Sequence, residues 1–269
     1  MPPVRRARTR VPATTAVALA TGLLISSCST SEDSPSSGPS SGPGGDSTPA
    51  PSATPTGPDF TPERSRVPRT PAQARELVRE VTATPRRWGP GYVKQRPYES
   101  DPSTLGVLDE ECRWQREELP SSVLATLSRS SELPAADGKG PVRVAATVTV
   151  HRAETDADWA MARIVEDALR CPEQRLSATE TVTGLLTVPL THGAFNKNAE
   201  DSVVEQGQFV SDELGGPHYY TWMRSRLGRI NVTVVGKGSE GRKPEAVDKA
   251  TNEGMAAMLV DLETELEAS

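Results

Sequence analysis

The chain has 269 residues, of which 35% are hydrophobic, 4% aromatic and 25% charged, and it contains 21 glycines and 24 prolines. This low apolar fraction, together with so much glycine and proline, indicates that part of the chain does not fold. Three cysteines exclude a cysteine-rich scaffold, and three histidines argue against a dedicated zinc module. The net charge of -6 argues against nucleic acid as a partner.

The first 27 residues are typical of an export signal. Several arginines and no acids occupy residues 1–10, and an uncharged segment follows whose apolar centre is Ala16–Ile25. A positively charged start, a short apolar core and small residues indicate a secretory signal peptide. The apolar core is shorter than the ~20 residues that a permanent membrane-spanning helix needs. Residues 1–27 are therefore predicted to lie outside the fold.

The end of this signal is more specific than an ordinary cleavage site. The run Leu24-Ile25-Ser26-Ser27-Cys28 resembles the bacterial lipobox, in which an aliphatic residue and two small ones precede a cysteine. That resemblance implies that Cys28 becomes the lipidated N-terminus of the mature protein. Acyl chains such as palmitate would then anchor it to the cell membrane on the extracytoplasmic face. The alternative is a free or disulfide-bonded Cys28 behind a conventional cleavage site.

Residues 28–67 are predicted to be a disordered linker. Ser, Pro, Gly and Thr dominate this segment, and Phe60 is its only aromatic residue. Such a composition buries too little apolar surface to offset the entropy lost on ordering. The alternative is an O-glycosylated stalk, which has a similar composition. Both interpretations make the segment a spacer between the membrane and the domain that follows.

Residues 68–269 are predicted to form a single extracytoplasmic domain that begins and ends with a helix. Thr70 and Gln73 have the spacing of a capping box, which predicts a first helix over residues 71–81. Apolar residues at helical spacing predict a last helix over residues 244–267. The apolar stripe of this last helix consists of Val247, Thr251, Met255, Met258, Leu259, Leu262 and Leu266.

Between these helices, several segments alternate between apolar and polar residues and predict strands. The clearest are Val123–Leu133 and Val142–His151, which predict an antiparallel hairpin. Further strands are predicted over residues 92–96, 112–117, 181–190, 207–211, 218–226 and 229–236. The predicted fold class is α+β, with an antiparallel sheet and helices packed mainly on one of its faces.

A further helix is predicted in the middle of the domain. Thr155 is the predicted N-cap of a helix over residues 156–170, and a proline follows soon after its end. Its predicted apolar face consists of Trp159, Ala162, Val165 and Leu169, with Met161 and Ala168 beside them.

With Cys28 assigned to lipid, Cys112 and Cys171 remain. Thiols oxidise outside the cytoplasm, so these two cysteines predict a structural disulfide. It would close a loop of about 60 residues and stabilise the domain by roughly 4 kcal/mol. The alternatives are a redox-active pair or a metal site, but the chain has no C-x-x-C motif and no histidine at ligand spacing to either cysteine.

The run over residues 211–222 holds two of the four tyrosines and one of the four tryptophans. In a strand, Tyr219 points to one face, while Tyr220 and Trp222 point to the other. One set can pack against helices while the other is available to a ligand. Together with the neighbouring His218, these three aromatic residues are the candidate ligand-binding residues. The alternative is that the run forms only core and turn.

The sequence contains no G-x-S-x-G motif, and its histidines are scattered. We therefore predict no catalytic residues, no metal and no cofactor, and favour a domain that binds without catalysis. The alternative function is a cell-envelope hydrolase in which carboxylates from Asp212, Glu213 or Glu205 act as acid and base.

The order of lipobox, linker and a domain of about 200 residues with a cysteine pair is similar to that of many actinobacterial lipoproteins. Four features of the domain resemble the extracytoplasmic sensor domains of mycobacterial Ser/Thr kinases: an N-terminal helix, Cys112 on an early strand, the strand over residues 142–150, and the Trp159 helix that ends at Cys171. Those sensor domains usually carry a second disulfide, for which this chain has no cysteines. The resemblance implies a module that binds or senses an envelope ligand or a protein partner.

Overall fold

The computed structural model describes residues 60–190 and 198–267. The predicted signal peptide, Cys28 and the linker up to residue 59 lie outside the described residues. The helices are α1 (Pro71–Val81), α2 (Glu154–Arg170) and α3 (Pro244–Leu266). The strands are β1 (Val93–Glu99), β2 (Thr104–Leu108), β3 (Trp114–Glu118), β4 (Val123–Leu133), β5 (Val142–His151), β6 (Gln174–Arg175), β7 (Glu180–Leu190), β8 (Asp201–Ser211), β9 (Gly215–Leu227) and β10 (Ile230–Lys237).

Eight strands form one antiparallel sheet in the order β1-β4-β5-β10-β9-β8-β7-β6. The remaining two, β2 and β3, pair with each other in a separate hairpin. The predicted α+β class with an antiparallel sheet is confirmed. Strand β2 was not predicted, because the short run TLGVL lacks alternation and contains a glycine.

The two faces of the large sheet are covered differently. Helices α1 and α3 pack on one face, which we call the α1/α3 face, over aliphatic side chains that alternate along the central strands. From β5 and β10 these are Val142, Val144, Ala146, Val148, Val150, Val232 and Val234. Helix α2 packs on the opposite face, the α2 face, over a smaller core. Two of the three helices thus share one face, which confirms the predicted arrangement.

The two terminal helices follow the prediction closely. The backbone N–H of Gln73 donates to Thr70 Oγ1 (3.3 Å), and Gln73 Oε1 accepts from the N–H of Thr70 (3.2 Å), which completes the capping box. All seven residues of the predicted apolar stripe of α3 are buried. Both helices therefore follow from local sequence signals alone.

The end of the predicted linker contacts the domain. Phe60 and Val67 pack against the core of the α1/α3 face. The backbone N–H of Glu63 donates to the carbonyl of Leu266 at the end of α3 (2.9 Å). Residues 60–67 are therefore part of the folded unit, although their composition is that of the linker.

The start of α2 differs from the prediction. The helix begins at Glu154, and Ala153 rather than Thr155 is its N-cap. A carboxylate oxygen of Asp156 accepts a hydrogen bond from the backbone N–H of Ala153 (3.0 Å). Because a carboxylate in the first turn also interacts favourably with the helix dipole, Asp156 supplies the cap that was predicted for Thr155.

The predicted buried face of α2 is wrong. Trp159 and Leu169 are 68% and 83% exposed, and Val165 is also exposed. The buried residues of the helix are Ala157, Met161 and Ile164. Both sets of residues have helical spacing, so periodicity alone cannot choose between them. The choice depends on what surrounds the helix. One side of the helix packs against a small core, and another side faces an open cleft.

Candidate ligand-binding cleft

A cleft of about 400 Å³ lies between α2, the β2–β3 hairpin and the α2 face of the sheet. Three of the four tryptophans of the chain line it: Trp114 from the hairpin, Trp159 from α2 and Trp222 from β9. The volume lies within the range of ~300–1,000 Å³ that is typical of small-molecule sites. Since aromatic rings offer large apolar contact areas, a bound molecule would bury much of its surface here.

A disulfide joins two walls of the cleft. Cys112, just before β3, is bonded to Cys171, which directly follows α2, with 5.5 Å between the Cα atoms. Next to it, Arg170 Nη1 donates to the carbonyl of Asp109 in the hairpin turn (2.7 Å). The hairpin belongs to a separate sheet, so these links fix its distance from α2 and thereby the width of the cleft.

Trp114 is held in one orientation by its polar end. Its indole Nε1 donates to Oε1 of the buried Gln174 at the start of β6 (2.8 Å). The amide nitrogen of Gln174 donates in turn to the carbonyl of Cys171 (3.4 Å). Because both ends of the buried amide are hydrogen-bonded, rotation of the indole would leave polar atoms unsatisfied. The ring is therefore positioned before any ligand arrives.

The floor of the cleft is polar. The strands β5, β8 and β9 contribute Thr149, His151, Glu205, Trp222 and Arg224, and all of these except Trp222 are polar. Residues two apart on a strand share a face, which is why β5 and β9 each contribute a pair. Apolar walls over a polar floor can both bury a ligand and fix its orientation.

Arg224 is the cationic group of the floor. Its Nε donates to Thr233 Oγ1 (2.9 Å) and its Nη1 to the carbonyl of Ala160 (3.3 Å), and the guanidinium lies 5.0 Å from the ring centroid of Trp222. Burial lowers the pKa of Arg224 to about 10, although the charge of Glu205 acts in the opposite direction. The guanidinium is thus protonated at neutral pH, and it makes no ion pair with another described residue.

The acidic side chains of the cleft already have partners in the protein. Asp156 caps the start of α2, and Asp167 pairs with Arg170 (2.7 Å). Glu205 accepts a hydrogen bond from Thr187 Oγ1 (2.9 Å). Glu205 is 5% exposed, and this burial raises the pKa of its carboxyl group. These acids therefore serve the structure of the walls and floor.

His151 is a buried neutral base at the edge of the floor. It is 5% exposed, and its Nε2 accepts from Nδ2 of Asn231 (3.2 Å), which places the ring proton on Nδ1. Nδ1 makes no hydrogen bond within the described part of the chain. Burial and the positive charge of Arg224 lower the pKa of His151 to about 4.

This lowered pKa predicts a loss of stability in mild acid. The unfolded chain takes up a proton on His151 near pH 6.5, whereas the folded chain does so only near pH 4. Protonation therefore favours the unfolded chain between these values, by up to about 3 kcal/mol from this one residue. We expect His151→Gln to remove this contribution. Urea unfolding at pH 8, 6, 5 and 4 should show wild type losing stability relative to the variant as the pH falls.

The comparison at pH 8 is the internal control, because His151 is neutral there in both the folded and the unfolded chain. A stability difference between wild type and variant that stays constant from pH 8 to pH 4 would contradict the lowered pKa of His151.

Of the four candidate ligand-binding residues, only Trp222 lines the cleft. The hydroxyl of Tyr219 donates to Asp248 on α3 (2.7 Å), so Tyr219 points to the α1/α3 face. Tyr220 shares the face of Trp222 but is buried in the small core beneath α2. His218 Nε2 contacts a backbone carbonyl in the turn before β9 (2.9 Å). The aromatic run therefore divides between the two faces, and one member reaches the cleft.

The three carboxylates of the hydrolase alternative do not meet. Asp212 and Glu213 lie in the turn between β8 and β9, where Glu213 pairs with Arg143 (2.6 Å) and this pairing lowers the pKa of Glu213. Glu205 lies in the cleft, separated from Asp212 by roughly 20 Å of extended strand. In residues 60–190 and 198–267, no group of three or more His, Cys, Asp or Glu side chains is placed to hold a metal ion.

The sequence pattern missed most of the cleft. Trp114, Trp159, His151 and Arg224 lie on four different elements, and only the tertiary fold brings them together. Two features of the sequence could have pointed to the cleft. Tryptophan is scarce in the chain, and two of the four tryptophans lie next to the cysteine pair: Trp114 on a segment that begins just after Cys112, and Trp159 on a segment that ends at Cys171. None of the described helices is long and apolar enough to cross a membrane.

No protein-family model matches the sequence, and no curated protein matches it. Among solved structures, the chain is similar to the extracellular domain of PknH from Mycobacterium tuberculosis. The identity is 9% and the TM-score 0.42, over 74% of this chain and 98% of the PknH chain.

Proposed function

We propose that this protein is a membrane-anchored extracytoplasmic lipoprotein whose domain binds a small ligand without transforming it. The observation that carries the proposal is the convergence of three tryptophans from three elements on one cleft with a polar floor. Trp222 is 6% exposed and already belongs to the small core beneath α2, whereas Trp159 is 68% exposed. An aromatic side chain as large as Trp159 gains free energy from burial, and a ligand that covers it in the cleft would provide that burial.

The construction of the walls supports a binding role. The disulfide holds the hairpin to the end of α2, and the Trp114–Gln174 hydrogen bond holds it to β6. A cleft that is already formed costs little conformational entropy when a ligand enters it. Its acids cap a helix, pair with Arg170 or bond to Thr187, and these contacts favour positioning over proton transfer.

The membrane anchor rests on the lipobox resemblance of residues 24–28. A bond between Cys112 and Cys171 persists best in an oxidising compartment, which agrees with export. Acylation of Cys28 would hold the chain on the membrane, and the Ser/Pro/Gly-rich residues after it would act as a tether.

Mass spectrometry of the protein purified from its native membrane tests both parts of the proposal. We expect acyl chains on Cys28, no residues from the segment 1–27, and a small molecule that co-purifies with the folded domain. Trp159→Ala should lower the amount of this molecule, because Trp159 lines the cleft and is exposed enough to be removed without damage to the fold.

Leu169→Ala is the matched control, since Leu169 is an exposed apolar residue on the same helix that does not line the cleft. It should leave the co-purified molecule unchanged. An unmodified Cys28 in a chain that keeps residues 1–27 would refute the lipid anchor. A co-purified molecule that both variants retain fully would place binding outside the cleft.

A further inference from the structure

We infer that the ligand of this cleft is an amphipathic anion, whose acidic group pairs with Arg224 and whose apolar body lies against the tryptophans. The inference rests on the proposed binding function and adds the charge and shape of the ligand. Its basis is an asymmetry between the acidic and basic side chains that line the cleft.

The acids of the cleft accept hydrogen bonds or form an ion pair within the protein, whereas neither of its arginines pairs with a carboxylate. Asp156, Asp167 and Glu205 each accept a hydrogen bond or form an ion pair at 2.7–3.0 Å. Arg163 on α2 and Arg224 on the floor line the same cleft, and neither forms an ion pair with a described residue. Only Asp167 has a cationic partner, since the donors to Asp156 and Glu205 are a backbone N–H and a hydroxyl. What the cleft offers an anionic ligand is therefore not an excess of positive charge but two guanidinium groups that no carboxylate pairs with.

Arg224 is the more telling of the two cations. Its guanidinium is anchored through Nε and Nη1 and backed by the Trp222 ring, so it is held in place. Its Nη2 makes no hydrogen bond within the described residues and is not among the fully buried polar atoms. The charges of Glu205 and Asp167 act on Arg224 without forming an ion pair with it. A desolvated charge that lacks an ion-pair partner is costly, and an anion that binds to Nη2 lowers that cost. Hydrogen bonds from a guanidinium to an anionic oxygen are also among the strongest in proteins.

The rest of the cleft suits an apolar body. Above the floor, the hairpin contributes Leu105, Val107 and Trp114, and α2 contributes Trp159 and Ile164. These side chains offer the anionic group no partner, so it would lie toward the arginines and foremost toward Arg224 at the floor. A carboxylate, sulfonate or phosphate on an aromatic or aliphatic body has this chemistry.

Two dyes with nearly the same apolar skeleton test the inference. 1-Anilinonaphthalene-8-sulfonate carries an anionic group, and N-phenyl-1-naphthylamine is its uncharged counterpart. Fluorescence titration would use the chain from residue 29 onward, which contains every described residue. We expect the anionic dye to bind about tenfold or more tightly than the neutral one, because only it can pair with Arg224.

Arg224→Gln should weaken the anionic dye about tenfold and leave the neutral dye unchanged, so that the preference disappears. Arg163→Gln is the second variant, and it serves if Arg224→Gln fails to fold. Arg163 lies on the exposed surface of α2. We expect its replacement to lower the affinity for the anionic dye about threefold and to leave the affinity for the neutral dye unchanged. Arg75→Gln on the exposed side of α1 removes one positive charge outside the cleft and should change neither affinity.

The outcomes separate the two proposals. If the neutral dye binds as tightly as the anionic one and Trp159→Ala weakens both, the cleft binds ligands but the anionic group is refuted. If the anionic dye binds well and neither arginine variant weakens it, the assignment to Arg224 and Arg163 is refuted. If neither dye binds, both the binding function and the anionic ligand are refuted.

Discussion

Replacing both Cys112 and Cys171 by alanine is expected to lower the free energy of unfolding by about 4 kcal/mol. The bond closes a loop of 59 residues along the chain, and without it the unfolded chain regains the conformations that the loop excludes. Urea unfolding of wild type and the double variant, at equal pH, measures the loss directly.

The same variant should damage the cleft more than the rest of the domain. The hairpin of β2 and β3 is a separate sheet, joined to the large sheet next to β3 by the single bridge between Arg113 and Arg175. Loss of the disulfide leaves it held by that bridge and by hydrogen bonds such as those from Trp114 to Gln174 of β6 and from Arg170 of α2 to Asp109. We expect faster amide exchange in residues 104–118 and weaker dye binding. Exchange in β5 and β10 should remain slow, because their core lies on the α1/α3 face.

Treating wild type with a reductant under native conditions is a useful second measurement, since it breaks the bond without changing a residue. It should reproduce the weaker binding of the double variant. Binding that survives both treatments unchanged would show that the hairpin does not depend on the disulfide for its position.

Trp88→Ala is expected to cost about 3–5 kcal/mol of stability, the range for removing a buried aromatic side chain. Trp88 is 1% exposed and packs in the core of the α1/α3 face. Its ring lies directly on α3 at Gly254, where an added Cβ would come within 2.2 Å of the ring. The ring thus occupies space that no other residue can fill, and its loss leaves a cavity.

Trp159→Ala provides the matched comparison, because it removes the same side chain from a site that is two-thirds exposed. We expect a change in stability within about 0.5 kcal/mol, together with weaker ligand binding. Trp88→Ala should therefore lose stability, and Trp159→Ala should lose affinity for the ligand. Equal losses of stability would contradict the assignment of Trp88 to the core and Trp159 to the cleft.

The parts of the fold that the sequence predicted well have strong local signals. The capping box of Thr70 and Gln73 marks the start of α1, and alternation of apolar and polar residues marks β5 most clearly. The buried stripe of α3 is apolar over its whole length, so it has only one face to bury. In each case the local preference and the tertiary environment agree.

Helix α2 shows where local signals fail. It has two apolar sets at helical spacing, one containing Met161 and the other containing Trp159, and the prediction chose the larger residues. The sheet beneath it buries the smaller set, and Trp159 remains at the cleft. Hydrophobicity favours burial of a side chain, but it does not specify whether protein or ligand will cover it.

The amino-acid sequence alone determined the composition of the linker, the presence of a cysteine pair and the class of fold. It also carries the prediction of an export signal, through the lipobox resemblance. Each of these depends on composition or on residues close together in the chain. The tertiary structure alone decided that Trp114, Trp159, Trp222 and Arg224 share one cleft. These residues lie on four elements, and no spacing along the chain encodes their distance in space. Strand pairing and the position of the hairpin set that distance, because they depend on contacts between segments far apart in sequence.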